Sequence, residues 1–222
     1  METRKYRLTE ETMGWCGHTM HRIEALKDFG DVKAGDKGGW IEKEENLSQG
    51  GNAWVSGDAE VFGDAQVYGD AQVSGNAWVY GDAQVYGDAQ VYGNAWVSGD
   101  AWVYGDAQVY GNAQVYGDAQ VYGNAQVYGN AWVSGDAQVS GDAQVSGNAD
   151  YIVFKNWWSS GRYFTWTRSN NMWKAGCFYG TGEELIKKAY ADSEKSGREY
   201  ERIVKYVESI LADEKNEELK ND

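Results

Sequence analysis

Two cysteines and two histidines are the side chains in this 222-residue chain best suited to nucleophilic, acid–base or zinc chemistry. Cys16, His18 and His21 cluster in sequence. On an extended segment Cys16 and His18 share one face and His21 takes the other, so the three do not converge on a metal ion, and no metal or other cofactor is expected. To act as a nucleophile Cys177 would need one of those distant histidines beside it, and it is expected instead as a buried small residue. Gly180-Thr181-Gly182 opens an expected helix, where free N–H groups can hold an anion, but the same pattern serves simple capping.

The elements that must position these groups follow from an unusual composition: 29 Gly, 11 Trp, 16 Tyr, no Pro and a formal charge of −14. Collagen needs abundant proline and is excluded. Apolar runs are short, such as Tyr151 to Phe154, against the roughly 18 residues of a membrane helix, and Met1 to Arg7 is too charged to open a signal peptide. A soluble cytoplasmic protein with reduced thiols and no membrane contact is expected.

From Gly51 to Gly147 a glycine falls on every sixth residue, giving 17 hexads of the form Gly-Asp/Asn-Ala-x-Val-Tyr/Ser. Within each hexad Ala and Val lie two apart and share the inward face of a short strand, while Gln or Trp between them points outward. Gly-Asp and Gly-Asn tolerate the positive φ of a tight corner. A spacing of 18 sorts the corner residues: Asp64, Asp82, Asp100, Asp118 and Asp136 form one series, and Asn76, Asn94, Asn112, Asn130 and Asn148 another. Three strands per turn make a triangular prism.

Read from valine as Val-Tyr-Gly-Asp-Ala-Gln, the unit resembles the hexapeptide repeat of left-handed parallel β-helix proteins. The resemblance covers residues 51–150 and implies a mainly β fold with a left-handed coil, 18 residues per coil and about 5 to 6 coils. Gly35-Asp36-Lys37-Gly38-Gly39-Trp40-Ile41-Glu42, followed by Glu45-Asn46-Leu47-Ser48, resembles the opening of uncharacterised phage and prophage hexapeptide-repeat proteins, which implies a bacterial host. Acyltransferases and γ-class carbonic anhydrases of this fold work through histidines on or between the coils, and the hexads here contain none. No exposed Asp, Gln, Tyr or Trp replaces such a base near neutral pH, so the chain is expected not to be an enzyme.

Residues 1–50 read as an N-terminal β cap, with strands over Tyr6 to Thr9 and Thr19 to Leu26 and an irregular coil from Gly38, in which Ile41 and Leu47 already stand six apart. Residues 151–222 read as a C-terminal cap or oligomerisation domain. Two or three strands lie around turns at Ser159-Ser160-Gly161 and Ser169-Asn170-Asn171, then a capping box at Thr181 and Glu184 opens a helix to about Ala191, and a second helix spans roughly Arg198 to Ala212.

The charge sits on the repeat: residues 51–150 carry −12 with no Lys or Arg, while the flanking segments carry −2 and 0. A stiff acidic rod fits the basic groove of a nucleic-acid-binding protein and disfavours direct DNA binding. Trp54, Trp78, Trp96, Trp102 and Trp132 hold outward positions; Trp78, Trp96 and Trp132 share a column, beside Phe62, Tyr80 and Tyr116. So apolar a face points to a homo-oligomer, a dimer or a trimer, or to a protein partner. Lys155, Trp157, Trp158, Arg162, Trp166 and Arg168 interleave cations and rings as anionic ring ligands require. The expected function is a non-enzymatic acidic binding protein, a phage or mobile-element inhibitor of a host nucleic-acid-binding or defence protein. A sponge for a nucleotide or small anion at the basic aromatic cap and a passive scaffold are the alternatives.

Overall fold

The computed structural model describes residues 4–221, which divide into two compact units: residues 4–152 with 167–170, and residues 153–166 with 171–221. The first unit is the solenoid. Sixteen two-residue strands, β4 to β19, run from Trp54–Val55 to Gln144–Val145 and stack into three parallel ladders, with Gln72 over Gln90 and Gln90 over Gln108 at 18-residue spacing. The parallel solenoid therefore has about six turns.

Every hexad Ala and Val from Ala53 to Val145 is at most 1 % exposed, so the prism is filled by its own small side chains. Backbone bonds pass from coil to coil, as from Gln72 N to Ala89 O at 2.9 Å and from Ser74 N to Val91 O at 2.9 Å. The hexad glycines turn the corners at φ between +61° and +75°, from Gly51 through Gly141. Gly147 instead has φ −148° and leads into a 3-10 turn over Asn148–Asp150, where the repeat ends.

The N-terminal segment belongs to the same unit. Strands β1 (Tyr6–Trp15) and β2 (His18–Ala25) form an antiparallel hairpin that adds to β3 (Lys37–Ile41), and β3 runs parallel to the first hexad ladder. β1 is longer than the expected Tyr6 to Thr9, because an irregularity between Leu8 and Thr12 lets pairing resume as far as Trp15. Ile41 and Leu47 seed two of the three ladders, pairing with Val61 and Val67 across 20 residues instead of 18. Lys5 closes the corner that holds the two extra residues. Its ammonium donates to the carbonyls of Ala53 at 2.7 Å and Gly50 at 3.3 Å, and burial pulls its pKa down to about 8. The Tyr6 hydroxyl donates to Leu47 O at 2.6 Å. A coil stack needs such caps, since its first carbonyls and last amides have no neighbouring coil.

β20 (Tyr151–Lys155), β21 (Tyr163–Thr167), β22 (Met172–Ala175) and β23 (Phe178–Gly180), most of whose residues belong to the second unit, form one sheet in sequence order, one strand more than the turns alone indicate. The extra turn falls at Gly176, with φ +59°. Helix α1 (Gly182–Asp192) opens with the expected capping box: Thr181 N donates to Glu184 Oε2 at 2.9 Å, and Glu184 N to Thr181 Oγ1 at 3.3 Å. Helix α2 (Glu194–Asn221) is longer than expected at both ends, because Ser193 Oγ accepts from Ser196 N to cap it and pairs such as Lys205 with Glu201, 2.6 Å apart, support its exposed face. Val204 and Val207 carry its buried stripe. Among the described residues, no helix is long and apolar enough to cross a membrane.

Candidate functional site

The aspartate series occupies the corner between the first ladder (Val61 to Val133) and the second (Val67 to Val139). Asp64, Asp82, Asp100 and Asp118 line one side of a groove of about 620 Å³, and Gln66, Gln84, Trp102 and Gln120 line the other. Lys43 bridges Asp64 at 2.7 Å and holds its carboxyl below the usual range. Asp82, Asp100, Asp118 and Asp136 have no cationic partner among the described residues. The far edge of the same ladder carries Asp70, Asp88, Asp106 and Asp142, with Asn52 donating to Asp70 at 2.6 Å and Asn124 to Asp142 at 2.9 Å. One face is thus bordered by carboxylates on both sides.

The third corner is neutral from Asn76 onward. Asn76 donates to Asn94 at 3.3 Å, Asn94 to Asn112 at 3.1 Å and Asn112 to Asn130 at 3.1 Å. An amide both donates and accepts, so it can bond to its own copy on the next coil, which a carboxylate cannot do; this is why spacing of 18 sorts the two residue types. Aromatic columns flank the amide ladder. On one side Trp78 stacks on Trp96 at 5.3 Å, with Trp132 further along and half exposed; on the other Tyr92, Tyr110 and Tyr128 stack at 4.9 and 5.2 Å.

Two of the outward aromatics are covered. Trp54 is buried beneath Phe29, 5.3 Å away, and Tyr6, while Phe62 is buried against Trp15 at 5.7 Å and His18 at 5.0 Å, because the N-terminal segment folds over the first coils. Tyr80 stacks on Phe62 at 5.1 Å, whereas Tyr116 is exposed between Ser98 and Ser134. The longest ladder, Tyr68, Tyr86, Tyr104 and Tyr122 at 4.8 to 4.9 Å, lies on the acid-bordered face. The same spacing of 18 would have found it.

Acid–base capacity sits at the N-terminal end. His18 Nδ1 lies 2.9 Å from Glu42 Oε1, and Glu42 Oε2 accepts the Gly63 amide at 2.7 Å. Burial works to raise the Glu42 carboxyl, but the Gly63 amide and His18 outweigh it and hold the group ionised. An ionised carboxylate accepts only, so His18 donates from Nδ1 and leaves Nε2 open. His21 Nδ1 instead meets Thr9 O at 3.1 Å, and Cys16 sits exposed in the hairpin turn at φ +46°. Among the described residues, no three His, Cys, Asp or Glu side chains gather as metal ligands. Glu60 stands at the hexad position that is outward elsewhere in the repeat. It is buried between Trp40 and Trp78 in the ladder, its Oε2 has no partner, and burial and Asp58 push its pKa up. Cys177, expected to be buried, is exposed in the turn after β22.

The C-terminal basic aromatic set does not form one site. Trp158 and Trp166 are buried in the core of the second unit, where Trp166 Nε1 donates to Asn171 at 2.8 Å and Trp158 meets the Tyr200 ring at 5.0 Å. Trp157 is 71 % exposed, and Lys155 lies over the Tyr163 ring at 5.0 Å. Arg168 belongs to the solenoid unit and donates to Ala149 O at 3.2 Å. Aromatic residues in a strand region serve as core as readily as ligand platform, and Arg162 lines a cavity of the second unit together with residues outside this set.

Comparison with known proteins agrees with this geometry. The repeat described as the YdcK beta solenoid repeat matches residues 65–81, 71–87, 89–105, 107–123, 119–135 and 125–141. An alignment 60 positions long, covering 23 % of this chain, shows 42 % identity to a protein of Escherichia coli (strain K12) described as an uncharacterized acetyltransferase YdcK. The match spans 18 % of that relative's length. The chain is a repeat-containing β-solenoid protein whose hexads are similar to the YdcK beta solenoid repeat.

Proposed function

We propose that this protein is a non-catalytic acidic binding protein of a phage or mobile element. Its acid-bordered face occupies the basic groove of a nucleic-acid-binding protein, and its neutral edge joins it to a second copy of the chain. The observation that carries this reading is the pair of carboxylate rows, Asp82, Asp100 and Asp118 on one corner and Asp70, Asp88 and Asp106 on the next, with no Lys or Arg anywhere in residues 51–150. At about 4.8 Å per coil, two rows place one charge about every 2.4 Å, near the roughly 1.7 Å of duplex DNA. Self-association through either acidic corner is opposed by like charge, which leaves the amide ladder with Trp96 and Trp132 as the surface two copies can share.

Displacement of labelled duplex from a panel of host DNA-binding proteins, followed by fluorescence anisotropy, tests the acidic face. The protein displaces DNA from at least one member and D82N/D100N/D118N does not; failure of the unaltered protein against the whole panel at low salt ends this reading.

The His18–Glu42 pair favours acyl transfer as a second reading, in line with the name given to the YdcK relative. His18 Nε2 is then the base that takes a proton from an acceptor amine or hydroxyl as acetyl passes to it from a thioester. Thiol release from acetyl-CoA, abolished in His18→Gln, supports this reading, and no release with any amine or hydroxyl acceptor removes it.

A further inference from the structure

A cavity of about 430 Å³ lies wholly within the C-terminal unit, walled by the strands, α1 and the first two turns of α2. Two cations face it, Arg162 and Lys188, and neither has an ion pair or side-chain hydrogen bond among the described residues. Other cations of the unit differ: Arg198, Arg202 and Lys205 bridge a carboxylate, while Lys187 and Lys195, also without an ion pair among the described residues, do not line this cavity. One carboxylate, Asp192, shares the cavity, yet neither cation comes within bridging distance of it. In a protein of charge −14, two cations left unpaired around one hollow are free to meet an anion.

The walls are prepared for one. Asn156 is buried with both ends of its amide engaged, Nδ2 donating to the Tyr200 hydroxyl at 3.1 Å and Oδ1 accepting from Ser159 N at 3.0 Å, and this holds the loop before Arg162 in place. Ser193 and Ser196 bring the N-terminus of the 28-residue helix α2 to the same cavity, and the amides of Glu194 and Lys195 have no partner within the helix by position. Tyr163, Phe178 and Tyr200 supply an apolar side.

We propose that this cavity binds a small phosphomonoester carrying a ring, with Arg162 and Lys188 holding the phosphate at the start of α2 and the aromatic side chains against the ring. The Arg fork and the helix terminus both match a tetrahedral dianion, and Asp192 is left to accept a hydrogen bond from the ring's own donor groups. None of its residues belongs to the acidic face, so its fate is independent of the proposed inhibition.

Phenyl phosphate is the probe, titrated into the full chain and followed by phosphorus and proton NMR. Saturable binding is expected, with shifts in the ring signals of Tyr163 and Tyr200 and none in those of Trp157, which lines no part of the cavity. Arg162→Gln and Lys188→Gln each weaken binding about tenfold, as loss of a charge-assisted phosphate contact does, while Arg202→Gln, from the Glu199 pair elsewhere on α2, leaves it unchanged. Both residues are exposed, so the unfolding temperature should not move. The proposal is overturned by an absence of saturable binding, by phenol binding as tightly as phenyl phosphate, or by unaltered affinity in the two variants.

Discussion

The Tyr151 hydroxyl donates to Trp132 O at 2.9 Å and accepts from Ser134 N at 3.3 Å, so one phenol takes the place of the missing next coil on the first ladder. Around it Asn148 Oδ1 accepts Trp132 N at 2.9 Å, Ser169 Oγ accepts Gln144 N at 2.7 Å, and Asp150 Oδ2 accepts Ser146 N at 2.7 Å. Open strand edges template further strands, and here side chains engage the amides that would do so. With Lys5 and Tyr6 closing the other end, growth by coil-on-coil stacking is disfavoured at both ends, which weighs against a passive scaffold built by end-to-end stacking.

Removing that phenol tests the cap. Tyr151→Phe should lower stability by about 1 kcal/mol, the usual worth of a lost hydrogen bond, and increase end-on self-association. Urea unfolding and sedimentation read the two effects, and a variant identical to the parent in both would show the cap to be dispensable.

Corner glycines should differ in tolerance. A Cβ on Gly75, at φ +71°, meets Gly93 O at 2.9 Å and N at 3.0 Å, whereas one on Gly135, at φ +61°, meets nothing within 4 Å. Gly135→Ala should therefore cost about 1 kcal/mol, from backbone strain alone. Gly75→Ala adds a clash with the next coil and should cost about 3 kcal/mol. Equal costs by denaturant melts would count against the coil spacing described.

Alkali should unravel the tyrosine ladder. Burial raises Tyr68, Tyr86 and Tyr104, and for Tyr104, with Tyr122 and Tyr86 adding like charge, the value is pushed up to about 12 from an unfolded 10.0. A raised folded-state pKa gives stability that is complete below pH 10.0 and drains as pH climbs towards about 12. Thermal melts across this range should fall with a profile that Tyr104→Phe flattens, and tyrosinate absorbance should show a late-titrating class that the variant loses.

The amide ladder should resist charge. Asn94→Asp with Asn112→Asp removes two side-chain bonds and sets two carboxylates one coil apart, so unfolding should become easier by roughly 1 to 2 kcal/mol and recover partly with added salt. Asp82→Asn with Asp100→Asn should leave stability unchanged or raise it. Calorimetry at low and high ionic strength distinguishes these outcomes.

How much was legible in the chain follows from where each residue's neighbours lie. A hexad residue finds its partners at a constant separation of 18, so periodicity alone determined the coil length, the inward Ala and Val, and the division of corners into Asp and Asn. Local rules likewise placed the Thr181 capping box, because its partners are three residues apart. Tertiary structure decided everything the non-repeating segments touch: the burial of Trp54, Phe62 and Glu60, the pairing of His18 with Glu42 across 24 residues, the closure of the first corner by Lys5, and the seating of Arg168 on Ala149 O. Those contacts join positions at separations no repeat encodes, and a long-range contact is specified by the packing of both segments together rather than by either one read alone.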